Sequence, residues 1–225
     1  MPDEQLSFDL PSVPAVGRDD FFVSSANETP VALIEHWHAW PANKLLLCGP
    51  AGSGKSHLAH VWAALSGARI ITADDLGGSD VAALAQHCVV IEDADRIAGI
   101  RASEEALFHL HNLVLAEGHS LLITAQSPAR SWGLTLPDLA SRVEATTSAT
   151  LHEPDDALLS AVMMKLFADR QLLPTPEVIP YLTRRIPRSF AAAQQVVAQL
   201  DHAALTRKRP INRALAALVL DNLTK

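Results

Sequence analysis

The stretch that decides the fold is Gly49-Pro50-Ala51-Gly52-Ser53-Gly54-Lys55-Ser56. It fits the spacing G-x-x-x-x-G-K-[ST] at every fixed position. An apolar run, Lys44–Cys48, leads into it, and a helical pattern leads out. Leu58, Val61, Trp62 and Leu65 recur at the spacing of one helix face. Strand, glycine-rich turn and helix together make a phosphate cradle. The glycines let the backbone curl until successive N–H groups point inward, and the helix N-terminus adds partial positive charge. Gly49, Pro50, Ala51, Gly52, Ser53, Gly54, Lys55, Ser56 and the following His57 are therefore candidate nucleotide-binding positions. Lys55 suits the β- and γ-phosphates, and the Ser56 hydroxyl suits Mg²⁺.

Outward from this loop the chain alternates. Short apolar runs at Lys44–Cys48, Arg69–Thr72, 88–91, 120–124 and 147–151 read as strands, with helical patterns between them. Leu107, Leu110 and Val114 line one such helix, with Ser103 as its expected N-cap, Glu104 and Glu105 at its positive end and Gly118 at its stop. Alternation of this kind predicts an α/β fold: a parallel five-stranded sheet with helices on both faces. After Pro154 the strands stop, and four helices fit near 156–170, 176–185, 189–206 and 211–223. Thr175 and Ser189 are the expected caps of the second and third. The expected organisation is a tail over 1–20, a nucleotide-binding domain over 21–152 and a small helical lid over 153–225.

Composition narrows the class. The 225 residues are 48% hydrophobic and 19% charged, which suits a globular chain. The longest run free of Asp, Glu, Lys and Arg covers 13 residues, 56–68, too short to span a bilayer. The acidic start, Met1-Pro2-Asp3-Glu4, does not resemble a signal peptide, so no membrane contact and a cytoplasmic location are expected. Residues 1–150 carry a charge of −10 and residues 151–225 a charge of +3, so the chain as a whole is not built as a nucleic-acid binder. Two cysteines, Cys48 and Cys88, read as small core residues. His36 with His38, His109 with His111, and His57 with His60 lack the further ligands of a metal site. Trp37, Trp40 and Trp62 read as packing anchors.

A second chemical element is the strand end Cys88-Val89-Val90-Ile91-Glu92-Asp93. Nucleotide hydrolysis needs an acid beside Mg²⁺ and often another to orient the attacking water. Ser56, Glu92 and Asp93 are the candidate Mg²⁺ positions, and Asp93 is also the candidate base. The order Glu-Asp gives the shorter acid the base's place, so slow or absent hydrolysis by the protein alone is expected.

These motifs resemble the AAA+ ATPase family, and within it the DnaA-like branch, over about residues 21–210. Phe22-Val23-Ser24-Ser25-Ala26-Asn27 is similar to the segment that seats adenine in that branch, which implies nucleotide contacts for Phe22 and Val23. Leu121-Leu122-Ile123-Thr124-Ala125-Gln126 resembles sensor 1, with Thr124 and Gln126 near the γ-phosphate. Leu139-Ala140-Ser141-Arg142 resembles box VII, where Arg142 would be an arginine finger acting in trans. Ile186-Pro187-Arg188-Ser189-Phe190 resembles sensor 2, with Arg188 touching the nucleotide. On the residues alone, Thr124 and Gln126 read equally as strand-end polar groups, and Arg142 and Arg188 as solvated arginines.

The tail adds Gln5-Leu6-Ser7-Phe8-Asp9-Leu10, which resembles the motif that docks bacterial proteins on the DNA polymerase III β sliding clamp. Gln5 would hydrogen-bond in the clamp pocket, and Leu6, Phe8 and Leu10 would supply apolar anchors. DnaA proteins carry a C-terminal helix-turn-helix domain, which is not expected here. A clamp motif on a DnaA-like ATPase without that domain is similar to the Hda family, regulatory inactivators of DnaA. The resemblance implies ADP or ATP with Mg²⁺ as cofactors, DnaA and the clamp as partners, only indirect or weak DNA contact, and self-association as a homodimer or a nucleotide-dependent oligomer. It implies stimulation of ATP hydrolysis by DnaA, which prevents re-initiation. The alternatives are a DnaA-related helicase loader and an autonomous P-loop ATPase or small kinase.

Overall fold

The computed structural model describes residues 22–207 and 209–223. Among these residues five strands run in chain order: β1 Lys44–Cys48, β2 Arg69–Thr72, β3 Val89–Glu92, β4 Leu121–Ala125 and β5 Ser148–Thr150. They form one sheet in the order β2-β3-β4-β1-β5, and every pairing is parallel. β1 lies inside the sheet, between β4 and the edge strand β5, and is entirely buried. Its side chains alternate between two cores, as a strand covered on both faces must. Leu46 and Cys48 join one cluster with Leu107, Leu110 and Val143, while Leu45 and Leu47 join the other with Leu58 and Trp62. This is the expected doubly covered sheet.

Among the described residues ten α-helices accompany it. α1 Glu28–Glu35, α2 Lys55–Ser66, α3 Ala73–Leu76, α4 Val81–Leu84, α5 Arg101–Ala116 and α6 Pro137–Glu144 belong with the sheet. α7 Asp156–Asp169, α8 Val178–Thr183, α9 Phe190–Arg207 and α10 Arg213–Leu223 enclose a core of their own around Leu159, Met163, Phe167, Val197 and Leu200. Among the described residues no helix is long and apolar enough to cross a membrane.

Several local expectations are corrected. β3 and β4 each begin one residue later than expected, and at that rim the Ser120 N–H donates to Cys88 Sγ at 3.4 Å. Leu65 is exposed rather than part of the buried face of α2. Ser103 does not cap α5; the helix starts at Arg101 with Ile100 at the N-cap. No side chain caps α8 at Glu177. Ser189 does cap α9, its Oγ accepting from the Ala192 N–H at 3.1 Å. Trp40 stacks on Trp62 with centroids 5.0 Å apart, as packing anchors do.

Candidate functional site

Parallel strands deliver their C-terminal ends to one edge of the sheet, and the expected motifs collect there. β1 ends in the glycine-rich loop, β3 in Glu92 and Asp93, and β4 in Ala125 and Gln126. The loop is tied to β4 by the Gly49 N–H, which donates to the Ala125 carbonyl at 3.2 Å.

All three loop glycines are required by close approach; a Cβ on Gly49 would lie 2.5 Å from the Leu151 carbonyl oxygen. Gly52 has φ +75°, and a Cβ there would lie 2.6 Å from Ser189 Cβ; a Cβ on Gly54 would lie 2.9 Å from the Phe190 ring. The loop is thus covered by the start of α9. Lys55 is buried, and its Nζ donates to the carbonyls of Gly49 at 2.8 Å and Pro50 at 3.0 Å. Burial holds the Lys55 ammonium below its usual range, against the pull of Asp93, Asp95, Cys48 and Glu92. Ser56 is exposed at the first turn of α2, and His57 half-buried behind it.

The acids face this lysine. Asp93 stands in the left-handed region at φ +53°, a conformation that costs most residues about 1 kcal/mol or more and that Asp tolerates better. Its N–H donates to Thr124 Oγ1 at 3.1 Å. Thr124 is buried, so the expected sensor hydroxyl fixes the backbone of the expected base. The Gln126 side chain is exposed, and its N–H donates to Asp95 Oδ2 at 3.0 Å. Asp95 went unread in the sequence. It is a third acid beside Lys55, and the only local signal for it is its place two residues after Asp93. It also acts on Cys48, whose thiol is pushed up to about 11, first by burial and then by the Asp95 charge, with Lys55 opposing.

The residues fit a magnesium nucleotide. Oγ of Ser53 in the loop, Oε1 of Glu92 at the end of β3 and Oδ1 of Asp95 after it are buried without a hydrogen-bond partner. Among the described residues no three His, Cys, Asp or Glu side chains form a self-sufficient metal cluster. A Mg²⁺ ion here would need only Ser56, one acid and phosphate oxygens, since this ion keeps few protein ligands.

Phe22 and Val23 lie in a short segment folded around Asn27. The Asn27 side chain accepts from the Ser24 N–H at 2.8 Å and donates to the Phe22 carbonyl at 2.9 Å. The segment reaches the end of β5 through the His152 N–H, which donates to the Ala26 carbonyl at 3.1 Å. Both Phe22 and Val23 are exposed apolar side chains. Arg188, one residue before Ser189, pairs with Asp156 at 2.8 Å with both side chains open to solvent.

Arg142 does not join this group. Its carbonyl accepts from Lys44 Nζ at 3.1 Å, which puts it at the opposite end of β1 from the glycine loop. A five-residue strand spans roughly 13 Å between those ends. The side chain is exposed, with its guanidinium 5.2 Å from the centre of the Phe108 ring. Gln5, Leu6, Phe8 and Leu10 lie outside the described residues.

No protein-family model matches the chain. Solved structures do share its fold. Domain III of the Thermotoga maritima replication initiation protein DnaA superposes with a TM-score of 0.79 at 17% identity, covering 95% of this chain and 98% of that one. DnaA from Aquifex aeolicus bound to AMPPCP gives 0.71 at 18% identity, covering 87% and 69%. Thermotoga maritima RuvB gives 0.69 at 18%, covering 92% and 70%. The chain has the AAA+ P-loop fold of DnaA domain III and RuvB.

Proposed function

We propose that the protein is a nucleotide-holding regulator of replication initiation, of the Hda type. It docks on the DNA-loaded sliding clamp through Gln5, Leu6, Phe8 and Leu10, and it stimulates ATP hydrolysis by DnaA through Arg142. ADP or ATP lies over Gly49–Ser56 with adenine against Phe22 and Val23. Lys55, released from its loop carbonyls, meets the phosphates. Ser56 and Glu92 hold Mg²⁺, which neutralises phosphate charge when bound. Thr124 holds Asp93 in place, and Arg188 is the lid's arginine toward the nucleotide.

The observation that carries this reading is the position of Arg142. It is exposed, and it stands at the far end of β1 from its own phosphate loop, so its guanidinium is available to another subunit's nucleotide. A planar, forked cation delivered in trans stabilises charge developing on phosphate oxygens. The likeness of fold to DnaA supports a partner of the same architecture.

The test is ATP hydrolysis by DnaA, measured with and without this protein and DNA-loaded clamp. Stimulation that disappears with Arg142→Ala, while nucleotide and clamp binding persist, is the expected result. Unchanged stimulation by Arg142→Ala removes the finger. Clamp binding that survives the double change Gln5→Ala and Leu6→Ala removes the docking motif. Binding to a replicative helicase with no effect on DnaA supports a loader instead.

A further inference from the structure

Helix α6, which carries Arg142, is gripped at both ends by buried charged side chains from distant parts of the chain. At its start stands Glu104 of α5, only 1% exposed. Its carboxylate accepts from the N–H groups of Thr135 at 3.0 Å and Leu136 at 2.8 Å, from the Thr135 hydroxyl at 2.8 Å and from the Gly99 N–H at 2.8 Å. Leu136 is the N-cap of α6 and Pro137 its first residue, so the negative charge sits at the positive end of the helix. Burial works to raise the Glu104 carboxyl, but the bonds from Thr135, Gly99 and Leu136 outweigh it and hold the group below its usual range.

At the other end stands Lys44, the nearly buried first residue of β1. Its Nζ donates to the Arg142 carbonyl, which also accepts from Thr146 Oγ1 at 3.0 Å. Carbonyls in the last turn of a helix lack partners within it, and a cation there complements the dipole. The same ammonium lies 3.2 Å from Nε2 of His111. Between the two grips, the Phe108 ring lies under the Arg142 guanidinium, within cation–π distance. Glu104, Phe108 and His111 share one face of α5, four and then three residues apart.

Packing alone does not call for this arrangement. Leu139 and Val143 already bury the apolar face of α6. Buried charges cost stability unless they are fully bonded, and both charges here are spent on the helix that presents one arginine.

We infer that Lys44, Glu104 and Phe108 are positioning residues for Arg142: they fix α6 and aim its guanidinium before any partner arrives. The inference rests on the finger reading above. A donor already in place needs no reorganisation when charge develops.

Two variants test it. Lys44→Met keeps the apolar stem and removes the ammonium. Phe108→Leu keeps a half-buried apolar group and removes the ring face. Stimulation of DnaA ATPase is titrated against each protein in the presence of DNA-loaded clamp. Maximal stimulation is expected to fall about tenfold, as small misplacements of a catalytic group do, while the half-maximal concentration and nucleotide affinity hold. Lys44→Arg should recover part of the loss. Nitrogen-15 relaxation of the Arg142 Nε–H should show a restrained side chain in the wild type and a freer one in both variants. If Lys44→Met fails to fold, Phe108→Leu decides. Wild-type maximal stimulation with unchanged Arg142 mobility in Phe108→Leu overturns the inference. Where Arg142→Ala abolishes stimulation at the same time, the finger reading stands and only the positioning falls. Unchanged stimulation by Arg142→Ala brings down both.

Discussion

The main-chain N–H of Phe190 donates to the carbonyl of Gly52 at 2.9 Å. α9, the longest helix after β5, therefore begins directly on the glycine-rich loop. Ser189 packs on Gly52 and the Phe190 ring on Gly54, while the adjacent Arg188 is held by Asp156 on α7. Loop and lid meet through backbone as well as side chains.

This contact makes Gly52 more demanding than Gly67, a glycine of similar conformation. Gly67 has φ +68° with nothing within 4 Å of a Cβ, so Gly67→Ala meets only the left-handed penalty. Gly52→Ala meets that penalty and Ser189. Urea unfolding should show Gly52→Ala losing about 1 kcal/mol more than Gly67→Ala. Equal losses would mean that the lid yields freely and is not seated on the loop.

Asp93 and Thr124 give a second pair. Thr124→Val keeps the volume but leaves the Asp93 N–H without its acceptor, at a cost of about 1–2 kcal/mol in unfolding free energy. The left-handed backbone at Asp93 predicts an order among its own variants. Asp93→Gly should be more stable than Asp93→Ala by about 1 kcal/mol, because only glycine takes φ +53° without strain. The reverse order would place Asp93 outside that region in solution.

What could be read from the sequence and what could not follows from how far apart the interacting residues are. β1, the glycine loop and the buried face of α5 were legible because each is written in contiguous spacing, with Lys44–Cys48 and Arg69–Thr72 matching to the residue. Glu104 was legible only as an acid near a helix start. Its bonds to Thr135 and Leu136 join residues 31 and 32 apart, which leave no periodic trace. The Lys44 contact with Arg142 spans 98 residues and hides in a strand that reads as plain core. Asp95 leaves no such trace either, because its partner, the Gln126 N–H, belongs to another strand end.

His111 supplies a pH prediction. Its imidazole is pushed down from 6.5 to about 4, mainly by burial and next by the Lys44 ammonium beside Nε2, with Asn112 opposing and Arg142 adding a little. The folded state therefore binds fewer protons than the unfolded chain between those two values, and stability is lost as pH falls through that window. The loss attributable to this group is up to about 3 kcal/mol. His111→Gln keeps an acceptor for Lys44 and removes the titration. Its unfolding free energy relative to the wild type should rise as pH drops from neutral toward 4.5. A difference that stays flat with pH would show that His111 is not held neutral against its surroundings.

Lys55 is the residue on which the nucleotide reading is most exposed to experiment. Its ammonium is buried and is spent on the carbonyls of Gly49 and Pro50, with Asp93, Asp95 and Glu92 all acting on it. A lysine kept charged under a glycine loop by nearby acids is a cation waiting for stronger acceptors, and phosphate oxygens are such acceptors. Lys55→Ala should weaken ADP and ATP binding in calorimetry by about 1.5–3 kcal/mol, the range for a hydrogen bond to a charged group. Asp95→Asn should leave Gln126 bonded and nucleotide affinity equal or higher, since it removes a negative charge from the same surroundings. Wild-type affinity in Lys55→Ala would mean that the lysine only staples its own loop, and the P-loop reading would lose its central cation.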